Sequence, residues 1–417
     1  MSAKFQPARG TKDILPLEYS IFQQVVSAAR QLAASYGFAE MTPPIFEFVE
    51  VFQRSLGETS DVVSKEMYHF QASEREHVAL RPEFTAGIVR AMVSNGLQNQ
   101  LPLKWFSTGP VFRRERPQRG RYRQFHQLNI EYLGAASPYA DVEVIALAYD
   151  LLKALGVAHD VTVHVNSLGD AETRARYRDA LVAYFSKHRD TLSADSLVRL
   201  EKNPLRILDS KDEGDRALLA EAPNLTDYYT DEAKQFFDTV MQALASLAIP
   251  AIHTPTLVRG LDYYCHTAFE FITTQLGAQG TVLGGGRYDG LSEALGGPAI
   301  PGIGFAAGIE RLMELTTLQA ITPRPQVVIA VGEQHMPAAM LLCQTLRQQG
   351  LAIELALDTA LNKAMKWANK RHALSVIMLG DDEAISQKLQ VKMMDSGEEQ
   401  ALAASEINAW LQTRIGR

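Results

Sequence analysis

Cysteine is almost missing from this chain: Cys265 and Cys343 are the two in 417 residues, too few for a disulfide framework and not spaced as CxxC. The ten histidines include no HExxH stretch and no paired ligand cluster, so no structural metal is expected. Cys265 and His266 are adjacent; on a strand they point to opposite faces and read as core packing rather than a ligand pair. No apolar run nears the ~20 residues that cross a bilayer. The opening MSAKFQPARG lacks the apolar stretch of a secretory signal. A cytoplasmic protein without membrane contact is the expectation. There is no GxxxxGK[ST] phosphate loop. GIGFAAG (302–308) has GxGxxxG spacing and follows GGPAIP instead of an apolar strand, which excludes a dinucleotide fingerprint. Basic charge is not in excess either. Against 41 Lys and Arg stand 48 Asp and Glu, a formal net charge of −7. That excludes nucleic-acid binding over the whole surface but not a local basic patch.

What is present is an ordinary globular balance, 46% hydrophobic and 21% charged, in a chain long enough for two or three domains. Pro16, the helical recurrence of Leu17, Ile21, Val25, Leu32 and Tyr36, and Gly37 predict a helix over 17–36. Pro43 and Pro44 stop any helix that follows. WFSTGPVFR (105–113) and FHQLNIEYLG (125–134) read as strands, joined by a polar loop with six arginines between Arg113 and Arg123, opposed only by Glu115. Residues 171–245 turn charged and helical in period, which predicts a helical insertion between a first part (1–170) and a second part (246–322) of one core. In that second part RGLDYYCHTAFEFITT alternates like a strand, and GIGFAAGIERLMEL reads as a turn opening into a helix. A linker with Pro323 and Pro325 precedes residues 325–417, where strand-like VVIAVG, LAIELAL and SVIMLG alternate with helices, a separate α/β domain.

The hairpin becomes informative once its pleat is read. Phe125, Gln127, Asn129 and Glu131 share one face; His126, Leu128, Ile130 and Tyr132 share the other, which is largely apolar and packs on the core. LRPEFT (80–85), if extended, places Arg81, Glu83 and Thr85 on one face. Two carboxylates toward one site suit a cationic ligand, and arginines at its rim suit a polyphosphate, whose oxygens a planar guanidinium grips in pairs. Each feature also has an ordinary structural use. An arginine loop can be solvated surface, a strand glutamate the partner of a surface cation, Tyr263–Tyr264 packing, and GGGRYDG a turn. Their coincidence in one chain points to a ligand site.

FRRERPQRGRYRQFHQ (112–127) resembles motif 2 of class II aminoacyl-tRNA synthetases in the form found in histidyl-tRNA synthetases. RGLDYY (259–264) with TAFEF, and GTVLGGGRYDGL, resemble the two histidine signatures; GIGFAAGIERL resembles motif 3, and the segment ending at Pro43–Pro44 resembles motif 1. RGTKDILP (9–16) fits the same family. The resemblance implies an α+β class II catalytic core, an antiparallel sheet flanked by helices, with the helical insertion and a C-terminal α/β anticodon-binding domain. It implies a homodimer through motif 1, L-histidine and histidine tRNA as substrates, and ATP as cosubstrate with accompanying Mg2+ but no structural metal. Residue by residue, it places Phe125 on adenine, Arg113 on the α-phosphate and Arg311 near the γ-phosphate, with Glu115 and Arg121 also on ATP. Glu83, Thr85 and Gln127 would hold the substrate ammonium; Glu131 and Tyr264 would read the imidazole in a pocket that Tyr263 helps build. Arg259 would approach the α-phosphate and the histidine carboxylate, so Arg113 and Arg259 would share the catalytic and histidine-binding work. Arg116 and Gln118 would meet the tRNA acceptor end. Phe84 departs from the family's usual glycine, and in an extended segment its ring points away from Glu83 and Thr85. Cys265 and His266 also differ from the commonest residues there. The alternative within the same fold is a histidine-sensing regulatory paralogue of ATP phosphoribosyltransferase. Such paralogues typically lose the ATP-gripping arginines and the C-terminal domain, whereas Arg113, Arg259, Arg311 and the tail are present here.

Overall fold

The computed structural model describes residues 5–57, 60–117, 120–210, 212–258, 263–276 and 280–415. Two compact units divide the chain, Met1–Ala320 and Ile321–Arg417.

The first unit is built on an eight-stranded sheet. Its order is Ala39–Glu40, Leu103–Phe112, Gln124–Leu133, Gly302–Gly308, Thr281–Arg287, Cys265–Ile272, Thr162–Ser167 and Ala251–His253. The central strands pair antiparallel and only the two short outer strands pair parallel. Helices Pro16–Ser35, Pro138–Ala154, Asp231–Ser246 and Ile309–Leu315 cover one face. Val25, Ala29, Ile145, Leu151, Val240 and Leu312 pack there with Leu128, Ile130, Phe269 and Phe305 in one continuous core. Full burial of each such Leu, Ile or Phe is worth roughly 1.5–3 kcal/mol. The predicted helix and the two predicted hairpin strands are all found, the strands as Leu103–Phe112 and Gln124–Leu133.

One element differs from expectation. GIGFAAG is not a turn but the strand Gly302–Gly308, inserted between Gln124–Leu133 and Thr281–Arg287, with the helix beginning only at Ile309. Ile303, Phe305, Ala307 and Ile309 all enter the core, so alternate residues leave a bare glycine and alanine face on the opposite side. GGGR is likewise strand, not turn, within Thr281–Arg287.

The helical stretch after residue 170 has two destinations. Helices Ala171–Phe185, Ala194–Lys202 and Glu213–Leu219 share a core of their own around Tyr177, Leu181, Phe185 and Leu200. Within it Asp215 is fully buried and accepts from Ser193 N–H (2.9 Å) and from the hydroxyls of Ser193 (2.7 Å), Ser196 (2.5 Å) and Ser210 (2.6 Å). Helix Asp231–Ser246 instead packs Phe237, Val240 and Leu244 on the main sheet. A smaller sheet of Phe46–Phe48, Glu76–Leu80 and His69–Ser73 lies next in sequence to helix Val49–Leu56.

The second unit has a five-stranded sheet, ordered Ile353–Ala356, Gln326–Ala330, Ser375–Leu379, Leu389–Met393 and Glu399–Leu402. The first three are parallel, joined by helices Met336–Gln348 and Leu361–Lys370, and the last two antiparallel. This is the α/β unit expected of the C-terminal sequence. No helix among the described residues is long and apolar enough to cross a membrane.

Candidate active site

A cavity of about 390 Å³ opens on the sheet face away from the covering helices. Its floor comes from the expected pleat: Phe125 and Gln127 line it, while Leu128 and Ile130 go to the core. Gly304, Ala306 and Gly308 continue the floor on the neighbouring strand, where the absence of side chains leaves room for a ligand. Gln127 is buried, and its Oε1 finds no donor among the described residues. An acceptor held without a partner beside a cavity is suited to an incoming N–H.

Glu83 and Thr85 also line the cavity, but by a route the pleat argument missed. LRPEFT is not extended throughout: strand Glu76–Leu80 ends at its first residue, Phe84 is helical in φ and ψ, and helix Thr85–Ser94 follows at once. Arg81 therefore does not share a face with them. It is buried and donates to Pro110 O (2.8 Å) and Pro43 O (2.8 Å), over the ring of Phe84 at 4.1 Å. Burial lowers its pKa to about 10. Glu83 accepts from Thr85 N–H (2.6 Å) and Ala86 N–H (2.8 Å), occupying orphan donors of the helix start. Burial pushes its pKa up against those bonds. Phe84 is fully buried beside Ile88, Met92 and Val111, so the ring occupies core instead of cavity.

Glu131 does not line the cavity. It is fully buried, accepting from Asn129 Nδ2 (2.5 Å) and from two lining residues, Thr85 Oγ1 (2.5 Å) and the hydroxyl of Tyr288. Burial raises its pKa to about 8, the three hydrogen bonds opposing the shift. A Cβ on Gly304 would overlap its carboxylate, so glycine is required there for close approach. Tyr263, Tyr264 and Tyr288 form an aromatic wall, with ring centroids 4.5 Å apart for the first two and 5.6 Å from Tyr263 to Tyr288. Burial keeps the Tyr263 and Tyr288 phenols protonated far above their ordinary range.

The opposite end is cationic. Arg113, Arg121 and Arg311 line it together with Glu115. Arg113 donates from Nε to Pro82 O (2.9 Å) and lies 5.6 Å from the Phe125 ring. Glu115 pairs with Arg121 at 2.6 Å and with Arg113 at 3.8 Å. Arg311 donates to Thr281 O (2.5 Å) and Gly120 O (3.3 Å); burial, then the nearby Arg121 charge, lowers its pKa. Cations already held by neutral carbonyls are positioned for anionic oxygen at little further ordering cost. Arg116 is exposed and outside the lining. Arg259 and Gln118 lie outside the described residues.

Among the lining residues that were not anticipated are Tyr288, Glu310, Glu270 and Asp61. Tyr288 and Glu310 sit inside quoted motifs, one past the glycines and one before Arg311, where the neighbours drew the attention. Glu310 accepts His126 N–H (2.9 and 3.0 Å) and pairs with its Nδ1 (2.8 Å), so His126 serves this clamp while its ring packs edge-on against Phe22 at the rim of the core. Glu270 accepts from Thr281 Oγ1 at 3.0 Å. Nothing in the sequence distinguishes Asp61. Among the described residues no group of three or more His, Cys, Asp or Glu is gathered for a metal ion.

Comparison with known proteins agrees with this geometry. The family model for histidyl-tRNA synthetase matches residues 10–312, and an anticodon-binding-domain model matches 326–414. The histidine–tRNA ligase of Rhodospirillum rubrum is 51% identical over 98% of this chain and 99% of its own length. That of Gluconacetobacter diazotrophicus is 51% identical over 99% of this chain and 100% of its own. Apo histidyl-tRNA synthetase of S. aureus superposes with a TM-score of 0.83 at 33% identity, covering 98% of this chain and 99% of that one. A Bacillus halodurans structure described as an ATP phosphoribosyltransferase regulatory subunit/histidyl-tRNA synthetase reaches 0.66 at 22% identity over 91% of this chain, a likeness of fold alone. With a family model covering most of the first unit and relatives half identical along nearly the whole length, the chain belongs to the histidyl-tRNA synthetase family.

Proposed function

We propose that the chain is a histidine–tRNA ligase that activates L-histidine with ATP and esterifies it to the 3′ end of histidine tRNA. The observation that carries this reading is one cavity with a buried carboxylate and tyrosine end, at Glu83, Gln127 and Tyr264, and an arginine end, at Arg113, Arg121 and Arg311. An amino acid with a polar ring fits the first and a triphosphate the second. A regulatory sensor that makes no adenylate has no use for the arginine end.

Glu83, Thr85 and Gln127 take the α-ammonium. Tyr264 reads the imidazole directly; Glu131 reads it through the lining hydroxyls of Thr85 and Tyr288 that bind it. Tyr263 closes the pocket wall. Phe125 stacks on adenine, Glu115 and Arg121 orient the nucleotide, and Arg311 takes the γ-phosphate. The histidine carboxylate attacks the α-phosphorus in line and pyrophosphate leaves, giving histidyl-adenylate. The terminal ribose hydroxyl of the tRNA then attacks the acyl carbon and AMP leaves. Arg113 and Arg259 neutralise charge growing on the α-phosphate, so catalysis is positioning and charge stabilisation without protein covalent chemistry. Mg2+ bound to ATP would neutralise the departing phosphates. Hard oxygen donors suit it, and Glu270 with the neighbouring Thr281 hydroxyl is one pair in the cavity with that chemistry. Rejection of apolar analogues by unpaired buried polar groups reaches roughly 10⁴–10⁵, so no editing domain is needed.

The core is assigned to 1–170 and 246–322 together with helix Asp231–Ser246, the helices between Ala171 and Leu219 to a clamp on the tRNA, and 325–417 to anticodon binding. Arg116 and Gln118 meet the acceptor end. The working form is a cytoplasmic homodimer joined through the segment ending at Pro43–Pro44. The test is aminoacylation of a complete histidine tRNA transcript. Histidine ester formation on the complete transcript supports the reading; binding of histidine with no ester and no AMP contradicts it.

A further inference from the structure

The RGTKD opening has no role in the chemistry above, yet it is built onto the arginine loop. The loop's neck is closed by Arg113 N–H donating to Arg123 O at 3.0 Å. The reciprocal donor, Arg123 N–H, goes instead to Gly10 O at 2.7 Å, so the segment at Gly10 stands as an extra rung on the returning limb. Arg123 also reaches Arg9 O (3.5 Å) and, within the loop, Glu115 O (3.3 Å). The turn itself is tight, with Thr11 N–H and Oγ1 both donating to Ala8 O at 2.9 and 2.7 Å. Lys12 holds its ammonium 5.0 Å from the ring of Tyr122, a cavity-lining residue, and pairs with Glu18 in the first turn of helix Pro16–Ser35. The outgoing limb has its own anchor: Arg114 N–H donates to Glu66 O (2.6 Å) and its guanidinium to Lys65 O (3.1 Å).

Gly10 is where this device is sensitive. Its φ is +86°, and a Cβ there would stand 2.8 Å from Arg123 Cγ and 3.0 Å from Pro117 Cγ, one contact on each limb. Any side chain at this position both strains the turn and pushes the loop.

We propose that the Ala8–Lys12 turn is a positioning element that holds the arginine loop in its nucleotide-binding register, with Gly10 as the residue on which it depends. This rests on the reading that the loop grips ATP through Glu115 and Arg121. Preorganisation is the physical reason for such a strap, since a displacement of about 1 Å in a positioning group can cost ~10²-fold in rate.

The test pairs Gly10→Ala with the milder Lys12→Met, both in the full chain. The readouts are Michaelis constants for ATP and histidine in pyrophosphate exchange, trypsin cleavage at the loop arginines without ligands, and the melting midpoint. For Gly10→Ala the expected result is a Michaelis constant for ATP raised ~10-fold or more while that for histidine stays within about twofold. Loop cleavage should quicken by ~10-fold at an unchanged melting midpoint, because only a local opening is eased. Lys12→Met should move the same quantities the same way, by about threefold. Unchanged cleavage in both variants overturns the strap. Parallel rises in both Michaelis constants with a lowered midpoint also overturn it, as general destabilisation. Faster cleavage with an unaltered constant for ATP leaves the strap holding a loop that does not grip the nucleotide, which overturns the reading beneath the proposal.

Discussion

Replacing Glu131 by glutamine should leave the protein folded and remove a pH dependence of stability that the wild type carries. Glu131 has no exposed surface, and burial raises its pKa from the ordinary 4.5 to about 8. The folded state therefore binds this proton more tightly than the unfolded chain does. For a group with a raised folded pKa, the stabilisation is fully present below the unfolded value and is lost as pH climbs toward the folded one. Within that window the slope is ~1.4 kcal/mol per pH unit, so about 2 kcal/mol disappears between about pH 6 and about pH 7.5. Glutamine keeps a carbonyl acceptor for Thr85 and Asn129 and puts an amide N–H where Glu131 accepts from the Tyr288 hydroxyl, which can rotate to accept it. It cannot ionise, so its stability relative to wild type should rise by about 2 kcal/mol across that interval, or roughly 4 °C in melting midpoint. Paired thermal melts at the two pH values measure this directly. A constant offset between the two proteins would mean that Glu131 is already ionised in the folded state, and the reasoning about its burial would be wrong.

Three other substitutions probe separate parts of the molecule. Glu83→Gln keeps one acceptor for the helix start but loses the charge facing the substrate ammonium; the Michaelis constant for histidine should rise ~10–100-fold with that for ATP nearly unchanged, the scale of one charged hydrogen bond. Arg259→Ala should fold normally and slow histidine activation by on the order of 10²–10³, and unchanged pyrophosphate exchange in that variant would remove Arg259 from the mechanism. Asp215→Asn turns a polar amide toward the three serines that surround the carboxylate and should weaken the insertion by on the order of 1.5–3 kcal/mol. Burial pushes the Asp215 pKa up, but its four hydrogen bonds hold it near about 2, so its contribution is intact at neutral pH and lost only as pH falls through that value. Hydrogen exchange should quicken in 171–225, and the Michaelis constant for tRNA should rise while pyrophosphate exchange is retained; loss of both activities would place the insertion in the core chemistry instead.

Much of the site was legible because strands declare their two faces. The alternation of Phe125 and Gln127 against Leu128 and Ile130 needs only a period of two, and the core and the cavity divide along it. The same signal was present in GIGFAAGI, where Ile303, Phe305, Ala307 and Ile309 alternate with small residues, but five glycines and alanines among residues 302–308 read as a turn. Tertiary packing decided otherwise: at Gly304, opposite Glu131, the strand has no room for a side chain. At LRPEFT the local chemistry was misjudged. Proline followed by an acid ahead of TAGIVRAM is a helix-start pattern, with Glu83 taking the first free N–H groups, and it turns Arg81 away from the site. The depth of Glu131, the clamp from Glu310 to His126 and the grip of Gly10 on Arg123 join residues far apart in sequence, and no local pattern encodes such distances.

The most direct measurement of the central claim is exchange of labelled pyrophosphate into ATP, run without tRNA for each of the twenty amino acids. The account predicts exchange with histidine and with no other. Histidine binding without exchange would contradict it and leave a sensor in place of an enzyme.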